Sequence, residues 1–212
     1  MMVDANFNPY YTPAEMLELG VFEGKYMNDY IDEGVKEYNP GEFPFKMFEP
    51  ALKRVSLAAS KRLDYGYDSI TPDTMYNYFK IKSRLSLQEW EANGWIYGPD
   101  KRGWFEWYCN YFYGRRIEGI DDIQIKRWKA FVRHYAQVKK HMATCTHTNV
   151  HECRPKQRQG LLQWAWDPLI GFMDDDAGKR QRHVRRAMER EKIAYDLRTA
   201  EHSMSKLKVK AK

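Results

Sequence analysis

The side chains best equipped for chemistry in this chain are cationic. Arg115 and Arg116 close an aromatic segment, Lys126 and Arg127 lie within the next helical stretch, Arg154, Lys156 and Arg158 open another, and Arg182, Arg185 and Arg186 stand in a basic tail. Guanidinium groups pair with phosphate through parallel hydrogen bonds, and ammonium groups bind it as point charges. Just before Arg115, seven aromatic rings lie between Gly103 and Gly114. Rings beside cations are what surfaces that stack bases and follow a phosphate backbone are made of. The expected partner is therefore nucleic acid, DNA or RNA, with these cations as its interface. The competing reading neutralises the same arginines internally with Glu118, Asp121 and Asp122.

A second group occupies the loop from Cys145 to Cys153. Cys145, His147, His151 and Cys153 could hold zinc in a tetrahedral arrangement of two sulfurs and two nitrogens, with His141 or His134 as an outside substitute. No cofactor is expected, zinc being the one the pattern leaves possible. The spacing is not a standard zinc spacing, and a polar loop between helices has the same composition.

Asp121 and Asp122 supply a third chemistry, as metal ligands or as general acid and base beside Arg115 and Arg116. That reading makes the chain an enzyme acting on a nucleotide or nucleic acid. Against it, the chain contains no Walker sequence, no nucleophile elbow and no HExxH, and an acidic pair at a helix start more often caps than catalyses. A further alternative is an adaptor whose basic tail docks on an acidic protein partner.

Charge divides sharply along the chain. Residues 1–100 hold 10 Lys/Arg against 16 Asp/Glu, residues 101–160 hold 13 against 5, and residues 177–212 hold 12 against 4. Two basic blocks thus stand on an acidic first half, which places the anion-binding surface in the second half. The three cysteines, Cys109, Cys145 and Cys153, are too few for a disulfide framework and suit a reducing compartment. With no signal-peptide pattern and no long apolar run, the expected location is intracellular, cytoplasm or nucleus, with no membrane partner.

The elements that must position these groups read as helices. The expected fold is all-α: a single compact orthogonal helical domain over 1–176, in which 1–85 wraps irregularly and 86–176 supplies the core helices, followed by a basic helical extension over 177–212. Thr12-Pro13-Ala14-Glu15 is a capping box with proline at the first helical position, and Gly20 stops a helix over 13–19. A short helix near 25–33 and another from Pro72 onward are also expected. Ser86-Leu87-Gln88-Glu89 opens a helix over 87–93, with Leu87, Trp90 and Trp95 facing inward.

In the aromatic helix, Trp104, Trp107, Tyr108 and Tyr111 share one face while Phe105 and Phe112 lie on another, so most of its rings belong in a core. Asp121-Asp122 begin the next helix, which runs towards His141 with Ile125, Trp128, Val132 and Tyr135 on one face. Pro155 begins a helix that turns Leu161, Leu162, Ala165 and Trp166 inward. From Lys179 to Lys206 there is no proline or glycine, and the apolar residues are sparse, which predicts a long exposed helix.

The segment from Gly94 to Trp166 resembles a family of uncharacterised proteins that share a GWI step, a Pro-Asp pair, GWFxWYxxxxxGRR, an acidic pair before QIxRW, and RQxLLxWA. Here those elements are Gly94-Trp95-Ile96, Pro99-Asp100, Gly103 through Arg116, Asp121-Asp122 with Gln124 through Trp128, and Arg158-Gln159-Gly160-Leu161-Leu162-Gln163-Trp164-Ala165. The opening from Thr12 to Tyr26 is also similar to that family's start. The resemblance implies one integrated domain and brings no activity, cofactor or site residue with it. Asn110 stands where the family carries an arginine.

Overall fold

The structure is a computed structural model that describes residues 3–24, 30–32, 37–39, 74–82, 85, 87–172 and 177–210. Its architecture is all-α: α1 (Pro13–Glu18), α2 (Leu87–Ala92), α3 (Trp104–Phe112), α4 (Ile120–Ala130), α5 (Val132–Met142), α6 (Pro155–Gln163) and α7 (Ala177–Lys210). Single 3-10 turns occupy Val21–Gly24 and Thr74–Tyr76. A short antiparallel ladder pairs β1 (Tyr30–Asp32) with β2 (Glu37–Asn39), Ile31 opposite Tyr38. That ladder corrects the helix expected near 25–33, while Thr74–Tyr76 makes only one turn of the helix expected from Pro72. Pro72 and the capping serine Ser86 lie outside the described residues.

The aromatic helix α3 is the hub. Trp104, Phe105, Trp107, Tyr108, Tyr111 and Phe112 are all buried, as a helix apolar on more than one side requires. The segment before α1 supplies the plug: the Phe7 ring lies 5.0–5.5 Å from the rings of Trp107, Tyr108, Tyr111 and Trp128. Polar handles on three of the α3 rings are satisfied, while Trp128 Nε1 is buried without a hydrogen-bond partner among the described residues. Tyr108 donates to the Tyr11 carbonyl at 2.6 Å, Trp104 Nε1 to the Gln124 carbonyl at 3.2 Å, and Trp107 Nε1 to Asp121 Oδ1 at 2.9 Å. Burying a ring together with its donor is stabilising only when the donor finds such a partner.

α1 forms with its reciprocal cap in place, the Thr12 side chain accepting from Glu15 N and the Glu15 side chain from Thr12 N. Gly20 ends it at φ 71°, where a side chain would collide with the Tyr76 carbonyl. The helix expected from Asp121 to His141 is divided at Phe131. The division turns α5 relative to α4: Ile125 and Trp128 are buried, but Val132, expected on the same face, is 48% exposed and Val138 faces the core instead. In α6, Leu161 and Leu162 are buried, as are Ala165 and Trp166 just beyond it.

The tail helix is long, as expected, but its first half is docked. Val184 and Met188 are buried, Gln181 donates to the Asn8 carbonyl at 2.7 Å, and Arg180 pairs with Asp167. Gly114, at φ 106°, lies so close under this helix that a Cβ there would come within 2.4 Å of the Tyr195 Cβ. Beyond Tyr195 the helix leaves the domain, with Leu197 and Met204 each about 60% exposed. No helix of the described residues is long and apolar enough to cross a membrane.

Candidate nucleic-acid interface and metal group

The ten cations expected to bind phosphate separate into an interior set and a surface set. Arg115 is half-buried and ion-paired to Asp100, a buried carboxylate that also accepts from Asn110 at 2.9 Å. Asn110 is therefore part of the same structural bracket. Arg116 lies 3.6 Å from the centre of the Tyr111 ring and donates to the carbonyls of Tyr111 and Arg115. Burial lowers its pKa, the nearby Tyr111, Asp121 and Asp196 acting against that shift. Arg158 is completely buried and donates to the carbonyls of Cys153, Pro168 and Ile170. Arg154 caps α6 in the left-handed conformation at φ 52°, partly buried. Arg185 is taken up by Glu189 and by Asn8 Oδ1. Arg115, Arg116, Arg158 and Arg185 are thus engaged within the fold, whereas Arg154 Nε is buried without a hydrogen-bond partner among the described residues and Lys156 is exposed.

Asp121 is likewise structural. One of its oxygens accepts from Trp107 and the other from the Ile117 backbone N at 3.0 Å, the arrangement of a carboxylate at a helix start. Asp122 is exposed.

The surface set lies elsewhere. Lys126, Lys156, Arg182 and Arg186 are exposed, and so are Lys129, Arg133, Lys139 and Lys140 on α4 and α5. The latter four lie outside the expected interface, and the sequence carries their signal: from Ile123 to His151 the chain contains no Asp or Glu at all, against six Lys/Arg and four His. On α7, Lys179, Arg182, Arg186 and Arg190 recur at intervals of three and four and are all exposed, making one cationic row.

Arg127 and Gln124 give the α4 face a second property. Arg127 donates to the Trp95 carbonyl at 2.9 Å and to Gln124 Oε1 at 2.9 Å, and Gln124 in turn donates to the Tyr97 carbonyl at 3.3 Å. The loop between α2 and α3 is thereby pinned to α4, the helix that carries Lys126 and Lys129. Trp95, expected to face inward, is 46% exposed, and Tyr97 is 41% exposed. A run of ring contacts also leads outward from the core: Trp104 stacks on Trp164 at 4.8 Å, Trp164 on Phe131 at 4.9 Å, and Phe131 meets the exposed His134 at 4.5 Å. Desolvation lowers the pKa of Arg127, whose guanidinium lies 5.7 Å from the Trp164 ring centre.

The expected metal set is only partly assembled. His141, Cys145 and Cys153 each bring a donor atom within 4.8 Å of one another, a group that could hold a metal ion. His147 and His151 are not in it: His147 faces Glu152 at 3.3 Å, and His151 stacks on Tyr78 at 5.1 Å. His141 sits at the end of α5 and Cys153 just before α6, so the turn between the two helices closes the group. Cys145 Sγ and Cys153 Sγ are 2.8 Å apart, and Met142 Sδ is 3.7 Å from Cys153 Sγ. The third cysteine, Cys109, is sealed in the core, where burial pushes its thiol well up.

Compared with known proteins, the chain matches no family model, no curated protein and no solved structure.

Proposed function

We propose that this protein binds single-stranded nucleic acid across the exposed face of α4 and α5, with the cationic row of α7 as a second phosphate contact. The observation that supports this reading is the joining of exposed rings to a helix that carries exposed cations. Trp95 and Tyr97 are tied by backbone carbonyls to the helix that bears Lys126 and Lys129, and from Ile123 to His151 the sequence has no acidic residue. Cations along such a face neutralise phosphates and release counterions, and an exposed ring gains a stacking partner only from a base that is not already stacked in a duplex. Single strands suit both properties.

Fluorescence anisotropy with a labelled single strand tests the reading through two variants. Trp95→Ala should weaken binding by about 1–3 kcal/mol, the range for one stacked base. Neutralising Lys126, Lys129 and Arg133 together should weaken it and reduce the salt slope by about 2, at ~0.7 per single-strand phosphate contact. Binding that is unaffected by both changes refutes the α4–α5 assignment. Preference for an acidic polypeptide over nucleic acid would favour the adaptor reading instead.

A second reading is favoured by the convergence of His141, Cys145 and Cys153: the group holds a closed-shell metal ion with affinity for sulfur, zinc being the ion suggested by the sequence pattern. Such an ion would tie the end of α5 to the start of α6.

A further inference from the structure

We infer that His141, Cys145 and Cys153 form a site for a soft monovalent ion, copper(I), rather than a divalent one, and that Arg158 is the buried counter-cation of its thiolates. The inference rests on the reading that this group holds a metal, and it names the ion. Coordination number argues first. A structural zinc site requires about four protein donors. Here two sulfurs and one imidazole converge, while His147 and His151 are engaged elsewhere. The further donor beside Cys153 is Met142 Sδ, a thioether, which soft copper(I) accepts readily.

Charge argues second. Arg158 is 0% exposed, its Nη2 lies 2.9 Å from Met142 Sδ and 3.7 Å from Cys153 Sγ, and its other hydrogen bonds go to backbone carbonyls. No carboxylate among the described residues pairs with it. A buried guanidinium without an anion is costly, so the anion that balances it should lie within reach. Two thiolates cancel a divalent ion completely and leave Arg158 without a balancing charge among the described residues. The same two thiolates around a monovalent ion keep one negative charge, which matches the guanidinium. On binding, both thiol protons pass to solvent and the ion keeps its oxidation state.

The test is anaerobic titration of the full chain with copper(I) against a chromophoric copper(I) chelator, with zinc titrated in parallel against a zinc indicator. Expected is one copper(I) per chain, a near-ultraviolet sulfur-to-copper band, and loss of both in Cys145→Ser and in Cys153→Ser. Arg158→Gln should weaken copper(I) by about ten- to hundredfold, as second-shell changes do, and leave zinc no weaker. Arg158→Lys, which keeps the charge, should recover part of that loss, and it covers the case in which the glutamine variant fails to fold. Stoichiometric zinc with no retained copper(I), or copper(I) affinity independent of the charge at position 158, overturns the inference while leaving the metal reading standing. Retention of neither ion refutes both.

Discussion

Replacing Phe7 with alanine probes how the interface helix is held. The Phe7 ring is wholly buried and meets four other rings, three of them on α3 and one, Trp128, on α4. Truncating a buried phenylalanine costs about 3–5 kcal/mol, the transfer and cavity terms together. The large rings around this site are fixed by their own hydrogen bonds, Tyr108 to the Tyr11 carbonyl and Trp107 to Asp121, so they cannot readily collapse into the space. The expected loss therefore lies near the upper end, about 4–5 kcal/mol. For a chain of this size that corresponds to a melting temperature lower by about 8–20 °C. Urea unfolding followed by tryptophan fluorescence measures the free energy, and near-ultraviolet circular dichroism reports the packing of Trp107 and Trp128. Phe7→Leu should cost clearly less, since it fills part of the space. A loss below about 1 kcal/mol for Phe7→Ala would show that the N-terminal segment does not plug the core, and the account of how α4 is positioned would fail with it.

Three other outcomes follow from the same contacts. Gly114→Ala should cost about 2 kcal/mol or more, because φ is 106° and the new Cβ would meet Tyr195; thermal unfolding reads it directly. Asp100→Asn leaves Arg115 without its carboxylate and should destabilise by about 2 kcal/mol, less than for a fully buried pair because Arg115 is partly solvated, as measured by chemical denaturation. Ending the chain after Arg198 should leave the melting temperature within about 1–2 °C of the intact protein, since the residues removed, Met204 among them, lie beyond the docked half of α7.

Much of the core was legible from periodicity. The ring pattern of α3 and the positions of Leu161, Leu162, Ala165 and Trp166 could be read because a helix apolar over a wide arc has to be covered. The capping box at Thr12 was legible because its chemistry is local. Partnerships between distant residues were not. Arg158 has the spacing of a surface cation, yet the chain after α6 folds its carbonyls of Pro168 and Ile170 onto it. Trp95 has the side chain of a core residue, yet its backbone is held by Trp90 and Arg127 while its ring stays about half outside. The break at Phe131 carries no proline or glycine to signal it, so Val132 could not be separated from Trp128 by pattern alone. The surface cations of α4 and α5 were visible in the acid-free run from Ile123 to His151, a feature more telling than any single arginine pair.

The most direct test of the central claim is the salt dependence of binding by the intact protein to a labelled single strand of about twenty nucleotides, with a duplex of equal length as the comparison. Engaging about four phosphates through the α4–α5 face predicts a slope of log affinity against log salt near −3, which is a loss of roughly fiftyfold between about 50 and about 200 mM salt. The single strand should bind more tightly than the duplex at every salt concentration. No binding at low salt, affinity that does not change with salt, or a preference for the duplex would contradict the account.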